Sequence, residues 1–109
     1  MKEKYISEIV KVAICICAED GIVSESEENL VYELVTKNFP EYSQKNFSDA
    51  VDDFFSSEMQ LEDYLSAIKD PELQKLTLDI STQSAAIDGL DFRENIAIQK
   101  AMNFWKISI

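Results

Sequence analysis

Ala18-Glu19-Asp20-Gly21-Ile22-Val23-Ser24-Glu25-Ser26-Glu27 is the stretch that decides the fold, because a close version of it returns as Ala86-Ile87-Asp88-Gly89-Leu90-Asp91-Phe92-Arg93-Glu94. Each copy follows a helical pattern and leads into another. Each has Asp-Gly at the break, then an apolar residue, then a helix cap, then Glu three residues after the cap. Gly suits the left-handed position that closes a helix. Ser24 with Glu27, and Asp91 with Glu94, read as capping boxes that open the next one. The second copy is one residue shorter between Gly and cap. Two helical hairpins of one design, related by a pseudo-twofold, are therefore predicted.

Outward from these corners the pattern stays helical. Ile6, Ile9, Val10, Ala13, Ile14 and Cys17 follow the i, i+3, i+4, i+7 spacing of one buried face. They predict a first helix over about 3–19, with Val12 and Ile16 widening that face enough to make the helix central. Leu30, Val31, Leu34 and Val35 continue the second helix as far as Pro40. Ser43 or Asn46 caps a third, with Phe47, Ala50, Val51, Phe54 and Phe55 apolar, and Ser56-Ser57 breaks it. A fourth helix is predicted over 58–69, with Met59, Leu61, Leu65 and Ile68 inward. Asp70-Pro71-Glu72 is a strong start signal for the fifth. Its inward positions are Leu73, Leu76, Ile80, Ser84 and Ile87. The sixth carries Ile98, Ala101, Met102 and Trp105. Aligning the two hairpins pairs Glu27 with Glu94, Val31 with Ile98, Leu34 with Ala101 and Val35 with Met102.

Composition agrees. In 109 residues there are only 2 Gly and 2 Pro, and 46% are apolar. Few breakers and no clean strand alternation favour one all-α domain over residues 1–109, a compact bundle of about six helices. The formal charge of −11 opposes nucleic-acid binding and anionic membranes, both of which recruit Lys and Arg. No apolar run reaches the ~20 residues of a membrane span. Lys11 interrupts the one segment that resembles a signal core, and acidic residues follow it rather than a cleavage site. A cytoplasmic protein is expected. Cys15 and Cys17 point to different sides of a helix and cannot bridge, and with no His a zinc site of the usual type is nearly excluded.

The corners carry the chemistry. Capping alone explains Ser24, Asp91, Glu27 and Glu94. The aspartates are less ordinary, because Asp20 and Asp88 stand at helix C-termini, where the dipole favours cations. Either each accepts from backbone amides of the following helix, or it binds a cation. Oxygen ligands suit Ca²⁺ or Mg²⁺, although the spacing is not that of an EF-hand. One corner alone offers too few ligands, so a site needs both corners together. At exposed caps these carboxyls should titrate near their ordinary values.

These two motifs at this separation, with the Leu30, Val31, Leu34, Val35 stripe and the ending Phe104-Trp105-Lys106-Ile107, resemble the TerB-like, tellurite-resistance-associated helical domain family. The resemblance covers most of the chain. It implies an all-α fold with internal twofold symmetry and a role in bacterial stress response or signalling. It also implies an acidic surface, at Asp20, Glu27, Asp88 and Glu94, that is metal-linked or partner-binding.

Catalysis is not expected, since Ser-His and Cys-His pairs and a Gly-rich phosphate loop are all lacking. The alternative to a cation- or partner-binding module is a small acidic immunity protein that neutralises a toxin nuclease by covering its basic active site. The face for that role is Asp49, Asp52, Asp53, Glu58, Glu62 and Asp63, flanked by aromatic residues.

Overall fold

In the computed structural model, which describes residues 2–107, the first helix is buried along most of its length from Ile9 onward. This helix, α1 (Lys2–Cys17), has Ile9, Val10, Val12, Ala13, Ile14, Ile16 and Cys17 all fully buried. Apolar residues on more than one face leave no side for water, so the other helices pack around it. They are α2 (Glu25–Asn38), α3 (Gln44–Ser56), α4 (Leu61–Ser66), α5 (Pro71–Ala86) and α6 (Phe92–Trp105). Among the described residues these are the α-helices, and there is no strand. The predicted all-α bundle of about six helices is observed.

The closest partner of α1 is α5. Its inner face carries the buried small residues Thr77, Ser81, Ser84 and Ala85, which let two backbones approach. The Thr77 and Ser81 hydroxyls donate to the carbonyls of Leu73 and Thr77, at 2.6 and 2.7 Å, so these two are satisfied within the helix, whereas Ser84 Oγ is buried without a partner. Trp105 Nε1 donates to the Leu65 carbonyl at 3.0 Å and ties α6 to α4. Both cysteines are buried and free. Burial pushes the Cys15 thiol up to about 12 and raises that of Cys17 as well, so both are packing residues.

The helix starts follow the sequence. Ser24, Ser43, Asp70 and Asp91 are N-caps. The fourth and fifth helices are shorter than expected, the fourth ending at Ser66 rather than 69. The fourth helix begins at Leu61, not at 58, because Gln60 N–H is taken by Asp63 Oδ2 at 3.0 Å and Met59 N–H by Ser57 Oγ at 3.0 Å. Met59 is consequently 51% exposed rather than inward. The fifth helix ends at Ala86, which leaves Ile87 outside the core, and Phe55 also faces solvent.

The two Asp-Gly breaks share one backbone. A short 3-10 turn, Ala18–Asp20, follows α1 and closes on Gly21 at φ 96°, where its N–H donates to the Ala18 carbonyl at 2.9 Å. Gly89 sits at φ 92°, its N–H donating to Ala86 at 3.0 Å. A β-carbon at Gly21 meets open space, so only the left-handed backbone resists a side chain. Gly21→Ala is expected to cost about 1–2 kcal/mol in urea unfolding.

Candidate functional site

Corner formation begins with the caps. Glu27 Oε1 accepts from Ser24 N–H at 2.9 Å, and Ser24 Oγ accepts from Glu27 N–H at 3.1 Å. At the other corner Glu94 Oε1 accepts from Asp91 N–H at 3.0 Å. Both capping boxes are formed as the sequence predicts.

The fold then joins the two corners. Ser24 Oγ donates to Asp88 Oδ2 across 64 residues of chain. Glu27 and Glu94 are also brought carboxyl to carboxyl, within hydrogen-bonding reach of each other. Asp20 is close enough for its charge to act on Glu94. Cys17, beneath them, feels the negative charge of Glu27, Glu94, Asp20 and Asp88 together. The two corners singled out in the sequence are thus neighbours, joined directly by the Ser24–Asp88 hydrogen bond. Asp20 Oδ1 accepts from Ile22 N–H at 3.0 Å, an amide of the loop before α2 rather than of the following helix itself. Asp88 instead reaches the opposite corner.

One expectation is overturned. Glu27 and Glu94 are not exposed caps: they are 3% and 1% accessible. The start of this burial is visible in the packing of α6 against the 3-10 turn of the first corner. Burial, opposed in part by the Asp91 N–H, together with the neighbouring Glu27 and Asp20, pushes the Glu94 carboxyl up to about 7. Glu94 Oε2 is buried without a hydrogen-bond partner when both carboxyls are ionised, since neither then has a proton to offer. A proton on Glu94 turns the contact into a hydrogen bond to Glu27.

The site is not closed around an ion. Among the described residues no group of three or more His, Cys, Asp or Glu is placed to hold a metal. Asp20 and Asp88 are each engaged elsewhere, with Ile22 N–H and Ser24 Oγ.

The second acidic face is dispersed by comparison. Asp49 pairs with Lys45 at 2.9 Å, Asp53 with Lys11 at 3.6 Å and Glu62 with Lys100 at 3.6 Å. Asp63 caps α4 through Gln60 N–H. Of the six residues considered for a toxin-binding face, Asp52 and Glu58 carry no ion pair or side-chain hydrogen bond among the described residues.

Sequence reasoning missed the burial of the two glutamates and the apolar residues that surround them. A signal for the first was present. Glu27 lies four residues before Val31 and Glu94 four before Ile98, in register with the core stripe of each helix.

Comparison with protein-family models, with curated proteins and with solved structures finds no match to this chain. No helix among the described residues is long and apolar enough to cross a membrane.

Proposed function

We propose that this chain is a non-enzymatic, TerB-like acidic module of bacterial stress response or signalling, whose joined corners bind a divalent cation, Ca²⁺ or Mg²⁺. The observation that carries the reading is the buried Glu27–Glu94 pair with its unpartnered Oε2. Two carboxyls excluded from water and facing each other are costly unless a proton or a cation lies between them. Their oxygen chemistry fits a hard cation. Glu27 and Glu94 would supply the inner oxygens. Asp20 and Asp88 would complete the set by leaving Ile22 N–H and Ser24 Oγ, which makes the affinity modest and the corner responsive to cation concentration.

Cation and proton compete for the same oxygens, and this gives the test. With the Glu94 carboxyl at about 7, Ca²⁺ binding near neutral pH is expected to release on the order of half a proton. Calorimetric titrations in buffers of different ionisation enthalpy read that release directly. Binding without proton release, equal release from Glu94→Gln, or no binding with Ca²⁺ and Mg²⁺ contradicts the reading.

The immunity-protein alternative draws on the α3–α4 face. Its support is reduced by the ion pairs that already engage Asp49, Asp53 and Glu62 within the chain.

A further inference from the structure

Large apolar side chains stand in water around the joined corners. Ile22 is 73% exposed, Phe92 76%, Ile87 48% and Leu90 43%. Each lies within four residues of an end of the Ser24–Asp88 hydrogen bond, so they form one neighbourhood rather than scattered singles. Isolated exposed apolar residues are ordinary, but a group of them beside a polar centre marks a contact surface. Helix entry does not account for them. A hydrophobic staple would pair the residue before the cap with the fourth helical residue. For α6 that pair is Leu90 and Asn95, and for α2 it is Val23 and Glu28, so neither is apolar on both sides.

The charge in this neighbourhood has one sign. Across 18–28 and 86–94 there are eight acidic side chains, Asp20 and Asp88 among them, against a single cation, Arg93. Arg93 is already held by Asp91 at 3.4 Å. Beneath the surface Glu94 Oε2 is fully buried and without a partner. On the α5–α6 side Leu90 also borders a groove of about 430 Å³ lined by Leu78, Ile98, Met102 and Ile107.

We propose that the joined corners dock a basic, amphipathic segment of a partner protein. Its Lys or Arg heads lie over Asp20 and Asp88. Its apolar side chains cover Ile22, Leu90 and Phe92, with one anchor in the groove beside Leu90. Charge complementarity chooses a cationic segment over a neutral one and speeds encounter, while burial of the apolar collar supplies affinity. The inference goes beyond cation binding and does not depend on it, because Asp20 and Asp88 act here through charge alone. If the corner also takes Ca²⁺, the ion cancels part of the attraction, and by linkage segment and ion weaken each other.

The probes are three labelled synthetic peptides, used with EDTA present: a helix-forming Leu/Lys peptide, the same peptide with Glu for Lys, and the same with Ser for Leu. Fluorescence anisotropy is measured at low and at physiological salt, and amide chemical shifts map the contact. The proposal expects the Leu/Lys peptide alone to bind, with shifts concentrated in 20–24 and 87–93. Ile22→Ser/Phe92→Ser should weaken it about tenfold or more with no change in melting temperature, since both side chains are exposed. Equal binding of the Ser-for-Leu peptide overturns the proposal, because charge alone then suffices. Undiminished binding by the variant, shifts on α3 and α4, or no binding overturns it too. Self-association of the wild type in sedimentation, lost in the variant, assigns the collar to a second copy and equally overturns it.

Discussion

Replacing Glu94 by Gln is expected to stabilise the protein near pH 8 by on the order of 3 kcal/mol and to remove most of its pH dependence between about pH 5 and 8. The Glu94 carboxyl moves from an ordinary 4.5 to about 7 on folding. Below the lower value both states hold the proton, and the native state keeps its full advantage. Between the two values the native state holds more proton than the unfolded chain, so stability falls as pH rises. Above the higher value both are ionised and the advantage is gone. Gln removes the charge but keeps the local bonds: its carbonyl accepts from Asp91 N–H as Glu94 Oε1 does, and its amide donates to Glu27. Gln is also an accepted partner in a capping box. Urea unfolding of both proteins at several pH values measures the effect. A destabilised variant, or one that keeps the wild-type slope, would mean that the Glu27–Glu94 contact is not the strained feature of the site.

Ile14→Ala is expected to lose about 2–5 kcal/mol, a large part of the 5–15 kcal/mol typical of a whole domain. Ile14 is fully buried among Val10, Ala13 and Cys17, which are fully buried too, so the space left by its side chain is walled by packed core. The urea midpoint should fall with the slope unchanged. Ile22→Ser, at a 73% exposed position, should stay within about 0.5 kcal/mol of wild type. The contrast between these isoleucines separates the residues that hold the fold from those available for contact.

Helix starts were legible in the sequence because a cap is a local device. Ser24, Asp70-Pro71 and Asp91 act within three or four residues, and each is where it was read. The centrality of α1 was legible too, since apolar residues on several faces have one packing solution. The start of α4 was less so: Ser57 takes the Met59 amide and Asp63 the Gln60 amide, and these two local bonds hold 58–60 out of the helix. Ile87 fits a helical stripe by spacing, but the helix ends one residue earlier, at Ala86.

Of the candidate site, residue identity was legible and environment was not. The sequence marks Asp20, Glu27, Asp88 and Glu94 as equivalent, and the fold brings them together. Their burial depends on one corner lying on the other, a contact between residues 64 apart, such as Ser24 and Asp88. Nothing within a single corner encodes it. The apolar collar went unread for a related reason. Ile22 and Leu90 look like ordinary linker residues until the Ser24–Asp88 hydrogen bond joins the two corners that carry them.

The most direct test of the joined corner as a cation site is a thermal melt of wild type and of Asp20→Asn/Asp88→Asn, each in EDTA and then in millimolar Ca²⁺ or Mg²⁺. A ligand bound by the native state alone raises its melting temperature by an amount that grows with the logarithm of its excess over Kd. The wild type should gain several degrees with cation, and the double variant should gain none. A wild type indifferent to either cation, with the double variant equally or more stable, would contradict the account and leave the corners as well-capped helix ends joined by a shared proton.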